Sequence, residues 1–358
     1  MISYILNKIF YALLTLFGVV TVIFFLFNVL PGDPAQMMLG QNEDSEQLAI
    51  IKQKYGFDKP ILTQYAYYLN DLSPISFHSK DSENYTFLSD GKYSASNLFN
   101  IGKTQVVLKF PYLRESFTKQ GKPVTQVLSE TLPNTFVLAV AAITIAILIG
   151  IAFGIISALY KDTLLDKTIQ IFSTFGMSIP SFFSAILFAW FFGFILHEYT
   201  NLEMTGSLYE LDNFGEAMHI KWKNLILPAV VLGIRPLAVI IQLMRNSLLD
   251  VLSEDYIRTA RAKGLTEFQV IRKHALKNAF NPVVTAISGW FASMLAGAVF
   301  VEYIFGWNGL GKEIVNALNT LDLPVIMGSV LIIALLFILI NILVDMIYSW
   351  LDPKVKLQ

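Results

Sequence analysis

The chain has 358 residues, 54% of them hydrophobic and only 15% charged, with a mean hydropathy of +0.56. Soluble proteins carry roughly a quarter charged residues, so this composition puts most of the chain in lipid. The formal net charge of -1 decides nothing, because distribution and not total orients a membrane protein. With no cysteine, disulfides, thiolate metal sites and cysteine nucleophiles are excluded. His78, His197, His219 and His274 are scattered without zinc-ligand spacing.

In chain order, residues 1–30 hold the first apolar run, from residue 9 onward, about one bilayer thick. The run is too long for a signal-peptide core, and Pro31-Gly32-Asp33-Pro34 offers no small-x-small cleavage site, so a transmembrane helix is predicted. Residues 31–130 are polar but rich in aromatics, which predicts a small extracytoplasmic subdomain. Within it Ser45 to Tyr55 reads as a short helix and Gln105 to Phe110 as a strand.

Residues 131–350 read as five further spans. The second covers Pro133 to Tyr160 and carries Gly150-x-x-x-Gly154, a spacing that allows close helix approach. The third, Thr168 to Leu196, contains Pro180, which predicts a kink. Leu225 to Arg245, Val283 to Val301 and Val325 to Val344 complete the set. Gly289, Ser293 and Gly297, at four-residue intervals, read as a packing face. With six spans, Lys8, Lys161, Lys167, the basic 246–281 loop and the lysines of the 351–358 tail fall on one side. The positive-inside rule makes that side the cytoplasm and puts both termini there.

The long polar segment from Ser253 to Pro282 reads as two short helices with a break. Ser253 is the expected N-cap of the first, with Glu254 and Asp255 in its first turn. Lys263 closes it and Gly264 supplies the left-handed position beyond. Thr266 and Gln269 form a capping-box pattern, with Leu265 and Val270 placed as a hydrophobic staple. Phe268, Ile271 and Ala275 share one face of the second helix.

Two features invite a chemical reading. Gly306 to Lys312 matches a phosphate loop except at its end, where Glu313 replaces the Ser or Thr that would hold magnesium. The stretch follows a membrane span on the outer side, where no ATP is available, so a nucleotide site is not expected. Arg235 lies about 15 Å along a helix from Arg245, near mid-membrane. One reading is a cavity-lining cation that meets a substrate carboxylate; the other is an internal ion pair or a snorkelling side chain. Glu302 and Asp345, near span ends, read as interfacial anchors.

The segment TARAKGLTEFQVIRKHALKNAF resembles the cytoplasmic "EAA" loop of ABC importer permeases in the oligopeptide/dipeptide/nickel family. Arg258-Thr259-Ala260 stand where that family's Glu-Ala-Ala would precede Gly264. The resemblance extends through Leu30 to Pro34, YGFDKPILTQYAYYL, GKPVTQVLSETLPNTFVLA, FVEYIFGWNGLGKEIVNAL and NILVDMIYSWLDPKVK, and the chain resembles the B-type permease subunits of oligopeptide importers. Residues 72–110 look like an insertion that touches the binding protein or covers the outer mouth.

The resemblance implies an all-α polytopic protein of the type I ABC importer permease fold: six transmembrane helices in a bacterial cell membrane, with an extracytoplasmic subdomain between helices 1 and 2. It implies a non-catalytic subunit for oligopeptide import, with dipeptides, nickel or glutathione as alternatives; an ATP-independent secondary transporter is the reading from another class. The implied partners are a second permease, two cytoplasmic ATPases that bind ATP and Mg, and an extracytoplasmic substrate-binding lipoprotein. Tyr256, Arg258, Thr259, Ala260, Lys263, Gly264, Leu265 and Phe268 are the expected coupling residues, with Ala260 and Gly264 permitting close approach by an ATPase. Arg235 is the expected substrate-path residue. No metal site and no cofactor of its own are expected.

Overall fold

A computed structural model describes residues 2–29, 35–36, 45–82, 84–88, 92–119, 121–212 and 217–351. Among the described residues, four helices are long and apolar enough to cross a membrane: α1 (Ile2–Val29), α2 (Val124–Leu159), α3 (Lys223–Leu252) and α4 (Leu323–Leu351). Two bent helix pairs raise the number to as many as six. Asp345 carries no side-chain description, and the tail beyond Leu351 lies outside the described residues.

The third predicted span is not one kinked helix. α5 (Leu164–Ser178) and α6 (Ser181–Trp190), which continues as a π-helical turn to Ile195, meet at 107°. Pro180 crowds the preceding residue out of helical space, and Ile179 is extended at φ -82, ψ 128. The fifth span is likewise bent: helix from Glu267 to Leu295 turns by 55° into α7 (Val299–Phe305).

The chain forms two compact units. One comprises residues 1–10, 131–315 and 333–358. In it α3 is the central post, packed by α5, α6, α7 and α8 (Leu276–Gly297). Glycines of α2 set its approach: a Cβ at Gly150 would lie 2.8 Å from Ile240 Cγ2, and one at Gly154 2.6 Å from Met244 Cβ. At the same seam a Cβ on Gly233 would meet the Ala142 carbonyl oxygen at 2.8 Å. The Gly150-x-x-x-Gly154 spacing is thus a helix contact, as small residues in membranes often are. Gly289 is not: its Cβ direction is open space, because that side of α8 has no neighbour among the described residues.

The other unit comprises residues 11–130 and 316–332. It adds to the helices a three-stranded antiparallel sheet, in the order β1 (Ile75–Ser79), β3 (Thr104–Lys109), β2 (Ala95–Ile101). The sheet's inner residues Ser76, His78, Val107 and Lys109 are buried. In the last turn of helix α9 (Ile61–Leu72), Asp71 is fully buried and accepts hydrogen bonds from Tyr85 Oη (2.7 Å), Tyr93 Oη (2.9 Å) and Arg114 Nε (3.0 Å). Burial pushes the Lys92 and Lys109 amines down to about 8 despite the pull of Asp71. It pushes the phenols of Tyr85, Tyr93 and Tyr112 up, and that of Tyr68 to about 12. Tyr68 of α9 stacks on Phe24 of α1 and Tyr65 meets the same ring at a tilt, while Thr21 shares a 2.6 Å hydrogen bond with Tyr65.

Candidate coupling site

The 253–282 segment folds as helix, break and helix, one residue out of the expected register at its start. Ser253 is the C-cap of α3, its hydroxyl donating to the Asp250 carbonyl (2.7 Å), and Glu254 is the N-cap of α10 (Asp255–Ala262). The fourth span runs on past Arg245 to Leu252, so Ser253 serves the helix that ends there. Lys263 caps the C-terminus of α10, and Gly264 follows at φ +79, a conformation that L residues avoid.

α11 (Glu267–Val270) opens with a capping box: Gln269 N–H donates to Thr266 Oγ1 (3.4 Å), and Thr266 N–H donates to Gln269 Oε1 (3.2 Å). A π-helical turn, Ile271–Ala275, carries it into α8, so Asn281-Pro282 lies inside a continuing helix. Two side-chain links hold α10 against this second half. Arg261 grips Glu267 with two bonds (2.8 and 3.2 Å), and Asn278 Nδ2 donates to the Tyr256 hydroxyl (2.7 Å).

The inner face of the segment is Ile257, Ala260, Val270 and Ala275, which join Met244, Leu248 and Ala279 in one core. Ala260 is 5% exposed. It seals the segment onto its own chain, so it does not present itself to a partner. The outward face carries Phe268, 69% exposed, with Tyr256, Arg258, Thr259, Lys263 and Gly264, while Leu265 is half-buried. Phe268 therefore lies opposite the buried Val270 and Ala275, not beside Ala275 as the helical pattern predicts. The widened π turn between them shifts the register.

The part of α3 that leads into the segment is tied to α5 by a pair that the sequence alone did not single out. Asp166, near the start of α5, receives Arg245 Nε at 2.8 Å and Nη2 at 2.7 Å, and also accepts from the Ser157 hydroxyl and the Asp162 N–H. Thr163 caps α5 in front of it. A carboxylate in the first turn of one helix and an arginine about two turns before the end of another are the signal that could have pointed here.

At the opposite end of α3, Glu302 is fully buried and is not an interfacial anchor. Its Oε2 accepts from the N–H groups of Gly311 (2.7 Å) and Lys312 (3.2 Å), filling the N-terminus of α12 (Leu310–Asn319). Lys312 Nζ donates to the Gly306 carbonyl (3.0 Å) and Asn308 Oδ1 (2.8 Å). The N–H groups that a phosphate loop would offer to an anion are thus taken by the chain's own carboxylate. Trp307 is buried beside it, its Nε1 donating to the Asn134 carbonyl at 3.0 Å.

Arg235 lies midway along α3, exposed, with no hydrogen-bond or ion-pair partner among the described residues. In lipid such a charge costs about 3 kcal/mol.

The comparisons agree on one family. The family described as "Binding-protein-dependent transport system inner membrane component" matches residues 150–357, and its N-terminal companion matches residues 1–85. The chain is 31% identical over 369 residues to the dipeptide transport system permease protein DppB of Alkalihalophilus pseudofirmus, covering 99% of this chain and 100% of that protein. It is 30% identical to the glutathione transport system permease protein GsiC of Salmonella choleraesuis, covering 99% of each. An inward-facing structure of the MetNI methionine ABC transporter superposes with a TM-score of 0.51 at 17% identity, over 65% of this chain and 100% of that one, which shows a shared type I permease fold. The chain belongs to the family of binding-protein-dependent transport system inner membrane components.

Proposed function

We propose that this chain is the membrane permease of an ATP-driven peptide importer, forming half of the translocation path and receiving force through the 253–282 segment. It catalyses no reaction; two cytoplasmic ATPases bind ATP and Mg and hydrolyse the nucleotide. A second permease completes the path, and an extracytoplasmic lipoprotein delivers the substrate. Both termini and the coupling segment face the cytoplasm of a bacterium, and the 72–110 insertion faces the binding protein or the outer mouth.

The observation that carries this reading is the build of the segment. A capped, cross-linked helix pair is sealed onto α3 by Ile257, Ala260, Val270 and Ala275 while Phe268 and Tyr256 stand outward. Orientation by positive charge needs no such construction. An exposed aromatic on a rigid pedestal is what a docking contact requires. Dipeptide and glutathione permeases among the relatives support small peptides as cargo.

The test is ATP-driven uptake of a radiolabelled tripeptide, with co-purification of the ATPases, for wild type, Gly264→Pro and Phe268→Ala. Proline cannot adopt the φ of +79 found at Gly264. Lost uptake with weakened ATPase capture supports the reading. Full wild-type uptake with no ATPase bound overturns it.

A further inference from the structure

From Gly233 to Leu248, α3 packs on its neighbours around most of its circumference, and the residues left exposed there, Arg235 and Asn246, are polar. Gly233 is pressed against Ala142 of α2, with Gly150 and Gly154 of α2 meeting Ile240 and Met244 further along the same seam. On the α5 side, Ser173 Oγ donates to the Ala238 carbonyl (3.0 Å), and a Cβ on Gly176 would lie 3.1 Å from Ile234. Ala279 and Val283 of α8 share the core with Ile240, Met244 and Leu248.

At 3.6 residues per turn, Arg235, Gln242 and Asn246 lie about 180–220° around the helix from Gly233. They form one polar stripe on the side facing away from α2. Arg235 and Asn246 are exposed and Gln242 is half-buried. The stripe runs about 16 Å from mid-span toward the end that leads into α10. The neighbouring α8 also leaves small, uncharged positions uncovered at four-residue spacing: Asn281, Thr285, Gly289 and Ser293 are all exposed. None of the four carries charge. A passage needs contacts strong enough to admit a solute and weak enough to release it. One cation followed by neutral amides and hydroxyls meets that condition.

We infer that Arg235 is the anion contact of the translocation path: its guanidinium takes the terminal carboxylate of the peptide in transit, and Gln242 and Asn246 receive it further along. This rests on the permease reading above and adds to it the chemical group that is recognised. The commitment to a substrate carboxylate comes from charge. An unpaired cation at mid-span needs a negative partner or water, and the guanidinium fork matches a carboxylate. Backbone-terminus recognition also suits cargo of varied sequence, because every peptide brings the same carboxylate.

The test uses the assembled transporter in proteoliposomes with ATP inside. The chain has no native cysteine, so Arg235→Cys gives one reactive thiol in it. Its uptake of a tripeptide should fall about tenfold, the equivalent of roughly 1.4 kcal/mol. A cationic methanethiosulfonate should restore much of the loss and an anionic one should not. Excess peptide should slow the labelling, read by mass on this chain. Wild type treated in parallel controls for cysteines in the partner subunits, and Arg235→Lys should keep partial uptake.

A thiol that does not react in the membrane, or unchanged uptake by Arg235→Cys, overturns the inference. Loss of the second permease from the purified variant also overturns it, by assigning Arg235 to a partner's carboxylate. If wild type itself takes up no peptide while binding its ATPases, the peptide reading falls instead, and that result is distinguishable from the others.

Discussion

Arg245 and Asp166, 79 residues apart, form a two-pronged ion pair that ties the last turns of α3 to the start of α5. The carboxylate side chain is 4% exposed and the guanidinium 18%. Removing one partner strands the other in a poorly solvated site, which costs about 3–5 kcal/mol for a buried pair. Arg245→Ala is therefore expected to lower the Tm of the detergent-purified protein by several degrees. Exchanging the charges, Asp166→Arg with Arg245→Asp, recovers only part of the loss, because Ser157 and the Asp162 N–H are positioned for an acceptor. A double-mutant cycle of Tm values measures the coupling; none within error would show that the two residues act independently.

Glu302 holds the N-terminus of α12 from inside. Glu302→Ala leaves the Gly311 and Lys312 N–H groups without their acceptor, a cost of about 1–3 kcal/mol. The expected outcome is faster cleavage by protease in the 306–315 stretch. Gly309→Ala should act in the same direction, because its Cβ would sit 2.4 Å from Glu302 Oε2. Cleavage rates equal to wild type in both variants would remove this account.

In the coupling segment, Gly264→Ala forces a side chain into the left-handed region, at about 1–2 kcal/mol. Thr266→Ala removes the capping box, at about 1 kcal/mol. Both should raise amide exchange in 255–270. Phe268→Ala, which touches solvent, should leave exchange unchanged while weakening ATPase capture.

At the α2–α3 seam, Gly154→Leu has no room, since a Cβ alone meets Met244 and the Ile241 carbonyl at under 3 Å. Backbone cannot yield as a flexible side chain can, so loss of folded protein is expected on size-exclusion chromatography. Gly289→Leu, pointing into open space, should fold normally.

The sheet-bearing unit should show its own pH dependence. Tyr68, Tyr85, Tyr93 and Tyr112 are raised well above the usual phenol value by burial, and Tyr55 is raised too, by burial and by Glu115. The folded state holds their protons where the unfolded chain releases them, so their stabilisation is present below pH 10 and is lost as pH rises from about 10 toward 12. Lys92 and Lys109, lowered to about 8 by burial, act oppositely: the unfolded chain binds more protons between about 8 and 10.5, so stability rises there. Near-ultraviolet absorbance should show these four phenols ionising only together with loss of near-ultraviolet circular dichroism. Ionisation in step with the exposed tyrosines would refute the burial.

Much of the molecule is legible in local chemistry. Apolar length alone predicts the four long helices, since a bilayer demands a long run of residues whose backbone bonds are satisfied internally, but not the bends that break the third and fifth predicted spans. The Thr266–Gln269 capping box and the left-handed Gly264 are readable because a cap involves residues three or four apart. Tertiary structure decided everything that depends on which neighbour arrives. Gly150 and Gly289 look alike in sequence, yet one receives Ile240 and the other receives nothing. Ala260 is buried in the core it shares with Met244 and Leu248 while Phe268 stays exposed, and the π turn after Val270 is what brings Ala275 into that core. Asp166, Arg245 and Glu302 acquire their roles only when helices distant in the chain bring donors to them. A carboxylate's meaning lies in the groups that desolvate it and bond to it, and those are set by packing.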